Sequence, residues 1–297
     1  MASKVTRPLW MGRPKWYTRL AKGIALAIVV TIVVFPFWTI VATSIASPNE
    51  VIENGGWVVW PSSLDFSAYT SIFAGDVISR ALLISGGVTV LGTATSLVAT
   101  IALAYALARP GVFGGKPVLL LVLFTFLFPP AMIPSFLVVK ELGLLNSYPA
   151  LVMPVLINVF NLVIMRGFFQ GVPTELIEAA RLDGAGEFRI LTRVVLPLSK
   201  SIVAVVGLFY AVSYWNAFFN AVLYMDAHNY PVQAVLRQYV TQGASLSDLG
   251  NAEASILNSP QSVKMAVVVI ATLPIMLVYP FVQRFFVKGV LTGAIKS

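Results

Sequence analysis

Few residues in this chain of 297 could act as nucleophiles, ligate a metal or bind a nucleotide phosphate. It contains no cysteine and a single histidine, His228, which excludes cysteine nucleophiles, thiolate metal sites and multi-histidine metal centres. A phosphate-binding loop requires Gly-x-x-x-x-Gly-Lys-Ser/Thr. The sequence approaches this pattern only at Gly115-Lys116, where Pro110 replaces the first glycine and Pro117 replaces the Ser/Thr. We therefore predict no catalytic residue, and no metal or cofactor bound by this chain.

The densest pattern of small and charged residues lies in the loop 166–200. Pro173 and Thr174 can begin a helix there, because proline needs no N–H partner in the first turn and threonine can act as a cap. Gly184 can end the helix. The pattern predicts a short helix over residues 175–183, whose early carboxylates are favoured by the helix dipole. Its apolar side is predicted to contain Leu176, Ile177 and Ala180.

A second short helical stretch, residues 187–195, follows and is predicted to end at Pro197, which cannot continue a helix. Taken locally, the two helices fit two kinds of structure. They could form a small knob that seats in a cleft of a partner protein. They could also form an amphipathic connector that lies on lipid headgroups, and the local pattern alone favours this second structure.

Long uncharged stretches separate the charged residues of the chain. Hydrophobic residues make up 58% of the chain and charged residues 11%, which excludes a soluble globular protein. Six uncharged stretches each approach or exceed the roughly 20 residues that a helix needs to cross a bilayer, and they lack the alternating polarity of membrane β-strands. The chain is therefore predicted to be an all-α integral membrane protein. The predicted spans are about 23–46, 80–108, 117–139, 147–167, 199–225 and 263–285.

The basic residues predict the orientation of these spans. When they are sorted by alternate loops, 16 of the 20 lie on the side of the N terminus and four lie on the other side. By the positive-inside rule, both termini are cytoplasmic. Residues 1–22 are then a basic cytoplasmic segment, residues 23–297 form a six-span domain, and the loop 166–200 is cytoplasmic. The net charge of +8 reflects this topology and contact with anionic lipid, and we predict no nucleic-acid partner.

The spacing within the cytoplasmic loop is specific. Glu178-Ala179-Ala180 is followed after three residues by Gly184 and, after nine more, by Val194-Val195-Leu196-Pro197. This pattern resembles the EAA motif of permeases from binding-protein-dependent ABC importers, with Val194 in place of the motif's isoleucine. The six predicted spans, the prolines of the third and fourth spans and the basic ending 283–297 look like the maltose-transporter type of carbohydrate permease. Within that group, the stretches 214–220 and 230–237 look most like permeases of oligosaccharide uptake systems.

The resemblance implies a type I ABC importer permease fold with six transmembrane helices. It implies that the loop helix is a coupling helix, which docks in a groove of a separate ATPase subunit, and that ATP and Mg²⁺ bind in such subunits. The implied partners are a second homologous permease, two ATP-binding subunits, an extracytoplasmic solute-binding protein, membrane lipid and a sugar or oligosaccharide substrate, at a prokaryotic plasma membrane. The implied coupling residues are Glu178, Ala179, Ala180, Asp183, Gly184, Leu196 and Pro197.

Polar side chains within the predicted spans indicate a candidate substrate pathway. Amides at mid-membrane are costly unless they face a cavity or a partner, and sugars bind to aromatic faces and to groups that donate and accept hydrogen bonds. These residues could line a sugar path, or they could form an interfacial belt and join helices. Asn216 and Asn220 are four residues apart and are predicted to share one helical face. The candidates are Asn158, Asn161, Tyr214, Trp215, Asn216 and Asn220.

An ion-coupled secondary sugar transporter is the alternative function. The six uncharged stretches contain no Asp, Glu, Lys, Arg or His, which argues against proton coupling. Sodium coupling through carbonyl and hydroxyl oxygens stays open. The spans also offer serines without a neighbouring base, so a membrane hydrolase is not predicted.

Overall fold

A computed structural model describes residues 15–242 and 260–293 of the chain. Residues 1–14 of the predicted basic segment therefore lie outside the described residues. The described part is helical, with a single β-bridge between Ala46 and Leu64. In chain order its α-helices are α1 (Trp16–Ser44), α2 (Pro48–Glu53), α3 (Ser67–Ala74), α4 (Asp76–Ala108), α5 (Gly115–Leu127), α6 (Met132–Glu141), α7 (Pro149–Val152), α8 (Val159–Gln170), α9 (Thr174–Leu182), α10 (Glu187–Ile190), α11 (Leu196–Leu198), α12 (Lys200–Trp215), α13 (Phe219–Tyr224), α14 (Val232–Gln242) and α15 (Pro260–Gly293).

Three helices in the described part are long and apolar enough to cross a membrane. They are α1, α4 and the Gln261–Pro280 part of α15, and they coincide with the first, second and sixth predicted spans. Two further candidate spans are bent helix pairs. The pair Pro149–Val155 and Val159–Gln170 lies at the fourth predicted span, whereas the pair Glu187–Leu198 and Lys200–Trp215 joins the end of the loop 166–200 to the start of the fifth. The shorter apolar helix α5 lies at the start of the third. The count of six spans and the side on which the termini lie stay predictions.

A break divides the third predicted span. α5 ends at Leu127 and α6 begins at Met132. Pro129 and Pro130 lie between them, and proline supplies no backbone N–H and disfavours a helical conformation in the residue before it. The prolines are evident in the sequence, but the prediction treated this region as one uninterrupted span.

The fourth and fifth predicted spans are not straight helices either. In the fourth, the segments Pro149–Val155 and Val159–Gln170 meet at 56°. In the fifth, α12 ends at Trp215, and α13 begins after a break at residues 216–218. The 16 residues of α12 extend about 24 Å, which is less than the roughly 30 Å of a bilayer's apolar core. A crossing here therefore needs residues beyond Trp215.

The helical stretch that begins at Glu187 ends later than predicted. It continues through Pro197 to Leu198 instead of stopping before the proline. Residues Leu191–Val195 form a π turn, in which a carbonyl accepts from the N–H five residues on, and this wider turn accommodates a proline that has no N–H of its own. The stretch Glu187–Leu198 meets α12 at 86° and so lies across the direction of the fifth span.

The helix α4 takes part in both of the larger buried clusters. One cluster joins it to α8 and α12 and includes Ile177, Ile190 and Val195 of the loop 166–200. The other joins it to α3, α14 and α15. The loop that carries the predicted coupling motif is therefore packed, through these and further apolar side chains such as Val172, against the same core as the membrane helices.

Small residues allow α4 and α12 to approach closely. A methyl group at Gly92 would lie 2.9 Å from the Tyr214 ring, and one at Gly207 would lie 3.1 Å from a methyl carbon of Leu97. The hydroxyls of Ser96 and Tyr214 lie 2.7 Å apart across the same interface. Close packing of small residues and hydrogen bonds between side chains are the interactions that associate helices in a membrane.

Candidate coupling loop and membrane cavity

The predicted coupling helix is present as α9, Thr174–Leu182. It begins one residue earlier than predicted, because Pro173 rather than Thr174 is the N-cap, and Asp183 is the C-cap rather than the last helical residue. A proline before the first turn sacrifices no helical bond, since the first N–H groups of a helix have no partner within it. The missing N–H of Pro173 therefore determines where α9 begins.

The end of α9 is a Schellman motif centred on Gly184. The Gly184 N–H donates to the Arg181 carbonyl at 3.0 Å, and the Ala185 N–H donates to the Ala180 carbonyl at 2.9 Å. Gly184 has a φ of +76°. This left-handed conformation costs other L-residues about 1–2 kcal/mol, so the glycine of the motif is required by the backbone.

Part of the motif on α9 is exposed and faces away from the rest of the protein. Ile177 is buried in the cluster of α4, α8 and α12, and Ala180 packs against that cluster. Glu178 and Ala179 are exposed. Leu176, which the sequence pattern places on the same side as Ile177 and Ala180, is exposed. Successive residues are about 100° apart around a helix, and only the side with Ile177 and Ala180 meets the core.

The remaining motif residues are exposed as well, except that Leu196 is half-buried. Two large apolar side chains of the same loop also face outward, since Leu182 is 89% exposed and Phe188 is 80% exposed. Both belong to the loop that carries the motif, and exposed apolar patches mark sites of contact with another protein or with a membrane. The exposed motif residues in this part of the loop are Asp183, Gly184 and Pro197.

A single carboxylate ties the loop to the end of α4. Oε2 of Glu187 accepts a hydrogen bond from the Tyr105 hydroxyl at 2.5 Å and lies 3.0 Å from Nη2 of Arg109. Oε1 accepts from Nη2 of Arg181 at 2.7 Å. The Arg109 guanidinium also donates to the Tyr105 hydroxyl and lies 4.5 Å from the centre of that ring. We call these four residues the Glu187 node.

The Glu187 node keeps its carboxylate ionised. Hydrogen bonds from the Tyr105 hydroxyl and the Arg181 guanidinium lower the pKa of Glu187 below its ordinary value. The same contact with Glu187 raises the pKa of Arg181. The node is therefore a charged contact at neutral pH.

Three of the predicted pathway residues meet at a cavity of about 290 Å³ beside the bend in the fourth span. Asn158 is the N-cap of α8, where its Oδ1 accepts the Asn161 N–H at 3.1 Å. Asn161 is 4% exposed as a whole residue, and its side-chain amide has no hydrogen-bond partner among the residues described. The cavity is lined by Val155, Asn158, Phe160, Asn161, Phe209, Tyr210, Ser213 and Tyr214.

The structure places the other three pathway candidates elsewhere. Trp215 is buried in the cluster with α15, where its Nε1 donates to the Ala271 carbonyl at 2.9 Å. Asn216 is exposed, and its side chain donates to the Val212 carbonyl at 2.9 Å as α12 ends. Asn220 lies beyond the break, in α13. Because the helix ends between them, Asn216 and Asn220 do not share one helical face, and that prediction is wrong.

The sequence reasoning missed several residues of these two sites. Tyr105 and Arg109 are four residues apart at the end of the second span, which is the spacing of a side-chain pair on one helix face. Tyr210 precedes Tyr214 by the same interval. The four-residue spacing could have predicted that the two side chains of each pair lie on one face of their helix. Nothing in the local pattern connects Tyr105 with Glu187, because the contact joins residues far apart in the chain.

The bent apolar helices, the cavity lined by aromatic, amide and hydroxyl side chains, and the exposed loop packed on the helical core are features of an α-helical membrane protein. The chain belongs to the family described as the binding-protein-dependent transport system inner membrane component, whose profile matches residues 96–292. This assignment confirms the resemblance drawn from the Glu178 motif.

Relatives match over nearly the whole chain. The polygalacturonan/rhamnogalacturonan transport system permease protein YtcP of Bacillus subtilis (strain 168) is 44% identical over 268 residues, which cover 90% of this chain and 93% of that protein. Protein LplC of the same organism is 43% identical over 267 residues, or 90% of each chain. The crystal structure of a bacterial ABC transporter involved in the import of the acidic polysaccharide alginate has a TM-score of 0.86 and 30% identity, over 93% of this chain and 100% of the other. The fold is that of a type I ABC importer permease.

Proposed function

We propose that this chain is a transmembrane permease subunit of an ATP-driven, binding-protein-dependent importer of oligosaccharides. The observation that carries the proposal is the arrangement of the loop 166–200, whose motif residue Glu178 is exposed while Ile177 and the Glu187 node hold the loop against the membrane helices. YtcP is named for the transport of polygalacturonan and rhamnogalacturonan, and the solved structure is named for the import of alginate. These names support an oligosaccharide as the cargo.

The exposed side of α9 is proposed to dock on a separate ATP-binding subunit. Leu182 and Phe188 would contribute apolar contact area, at about 25 cal/mol per Å² removed from water. Glu178 would accept a hydrogen bond from a cation or backbone N–H of the partner, and Ala179 would let the two surfaces approach. Two such subunits, which bind ATP and Mg²⁺, a second homologous permease and an extracytoplasmic solute-binding protein complete the proposed assembly.

The cavity between α8 and α12 is proposed as part of the sugar path. The rings of Phe160 and Phe209 lie 6.2 Å apart at its wall, and aromatic faces suit the apolar face of a sugar ring. The Asn161 amide can both donate to and accept from sugar hydroxyls. Asn216 and Asn220 stay candidates for another part of the path, whereas the contact of Trp215 with Ala271 supports a role in joining helices.

Replacement of Asn161 tests the path separately from the coupling loop. Asn161→Ala should lower the rate of saccharide uptake by about five- to thirtyfold, the effect of losing one or two hydrogen bonds to the cargo. Uptake is measured on assembled, co-purified complexes, so that loss of assembly is distinguished from loss of transport. An unchanged rate in assembled Asn161→Ala complexes would remove this cavity from the path.

The test of the function is ATP hydrolysis by the purified complex. The permease is co-expressed with its partner subunits, and hydrolysis is measured with the solute-binding protein and a panel of acidic and neutral oligosaccharides. We expect hydrolysis to rise only when the binding protein is loaded with one of these oligosaccharides. A complex that no saccharide in the panel stimulates would contradict the proposed function.

A further inference from the structure

The Glu187 node connects three parts of the chain through one carboxylate. Arg181 lies in the last turn of α9, and Glu187 begins the stretch that leads to α12. Tyr105 lies in the last turn of α4, and Arg109 is the C-cap of that helix. The loop is joined by the chain itself only to α8 and α12. The node therefore adds a contact between the loop and a helix to which the loop has no covalent connection.

Arg109 is the least exposed of the charged side chains in the Glu187 node. Its side chain is 12% exposed, whereas those of Glu187 and Arg181 are each 53% exposed. Among the described residues, Glu187 is the only carboxylate that forms an ion pair with Arg109. Removing one partner of an enclosed pair leaves a charge without compensation, which is much more costly than losing an exposed pair. The Arg109 contact is therefore the part of the node that holds the loop most firmly.

The end of α4 that carries Arg109 also contacts α8. The other half of α4 contacts α14, at the opposite end of the membrane helices. Nε of Arg166 donates to the Leu107 carbonyl at 2.9 Å. Oγ of Ser85 accepts the Val232 N–H, at the start of α14, at 2.8 Å. α4 is helical without interruption for 33 residues. One continuous helix therefore joins the Arg109 end to the contact between Ser85 and Val232.

We propose that Glu187 is a positioning residue for ATP-coupled transport, which locks the coupling helix α9 to the end of α4. Motion imposed on α9 then moves α4 and α12 together. This inference rests on the proposed function, because an ATP-binding subunit must displace α9. Without the node, α9 would be held to the cluster of α4, α8 and α12 through the apolar packing of Ile177 and Ala180. Such packing is non-directional, whereas the hydrogen bonds and the ion pair of the node fix α9 to one end of α4.

The test compares variants of the full complex in lipid nanodiscs. The measured quantity is the ratio of ATP hydrolysis with the saccharide-loaded binding protein to hydrolysis without it. Glu187→Gln keeps the side-chain shape but removes the charge, and the ratio is expected to fall by about tenfold, within the range of coupling energies between sites. Tyr105→Phe removes only the hydroxyl, and a fall of about threefold is expected.

Arg189→Gln is the matched control, because it removes an exposed charge two residues from Glu187, and its ratio should equal that of the wild type. The melting temperature of each complex is measured as well, since a purely structural residue would lower it without changing the ratio. Wild-type ratios in assembled Glu187→Gln and Tyr105→Phe complexes would overturn the inference. If Glu187→Gln does not assemble, Tyr105→Phe decides. A wild-type complex that no loaded binding protein stimulates would instead contradict the proposed function.

Discussion

Tyr210 of α12 and Thr100 of α4 bring their hydroxyls to within 2.7 Å of each other. The Tyr210 hydroxyl also accepts the backbone N–H of Asn158 at 2.9 Å. That N–H belongs to the N-cap of α8, at the bend of the fourth span. One tyrosine therefore connects the predicted second, fourth and fifth spans beside the cavity, and its hydroxyl supplies an acceptor for a backbone N–H at the bend.

Tyr210→Phe should destabilise the permease. The substitution keeps the ring but removes the hydrogen bond to the buried Thr100 hydroxyl and the acceptor of the part-buried Asn158 N–H, which costs about 1–3 kcal/mol. Thermal melting of the purified protein in detergent measures the change. Tyr148→Phe, at an exposed position, is the control and should alter stability by less than about 0.5 kcal/mol. Equal melting temperatures for the two variants would contradict the connecting role of Tyr210.

Gly92→Ala should weaken the packing of α4 against α12. The new methyl group would lie 2.9 Å from the Tyr214 ring, whose hydroxyl is fixed by Ser96, and overpacking of this kind costs about 1–3 kcal/mol. Gly87→Ala on the same helix meets nothing within 4 Å and should be neutral or stabilising by up to about 1 kcal/mol. Melting curves of both variants give the comparison, and an equally stable Gly92→Ala would show that the interface is looser than described.

Gly184→Ala should loosen the end of the coupling helix. Alanine at a φ of +76° costs about 1–2 kcal/mol, whereas asparagine tolerates this conformation better. Hydrogen exchange of the Ala185 amide, which bonds the Ala180 carbonyl, reports the change directly. We expect faster exchange and weaker saccharide stimulation of ATP hydrolysis in Gly184→Ala, and a smaller effect in Gly184→Asn. Identical behaviour of both variants and the wild type would exclude a role for the Schellman motif.

The stability that the Glu187 node contributes should depend on pH. Its hydrogen bonds from Tyr105 and Arg181 lower the pKa of Glu187 from an ordinary value of 4.5. Because the folded-state pKa is the lower one, the contribution is complete above pH 4.5 and is lost as the pH falls through the folded value. The difference in melting temperature between the wild type and Glu187→Gln should therefore vanish in acid. A difference that persists unchanged at pH 3, well below the ordinary pKa, would refute this assignment.

Local chemistry explains which features could be predicted from the sequence. The position of α9 depends on Pro173 and Gly184, whose backbone preferences act within a few residues, so the helix was predicted to within one residue at each end. The family follows from fixed spacings within one loop. Pro129 and Pro130 were visible as well, but apolar composition alone does not distinguish a continuous span from a broken one.

Tertiary contacts explain what could not be predicted. α12 ends at Trp215 without a glycine or proline to mark the position, and its last residue is held by the carbonyl of Ala271 in another helix. Asn216 and Asn220 were therefore assigned to one helical face that does not exist. Likewise, the contact between Tyr105 and Glu187 depends on how the loop packs on α4, which the sequence of neither element specifies.

Uptake into proteoliposomes tests the central claim most directly. The permease, its partner permease and two ATP-binding subunits are reconstituted, with the solute-binding protein and a labelled oligosaccharide on the side opposite the ATP-binding subunits. We predict uptake that requires ATP on the side of those subunits, requires the binding protein and persists when ionophores collapse sodium and proton gradients. Uptake that proceeds without ATP and follows an imposed sodium or proton gradient would contradict the account and support an ion-coupled transporter.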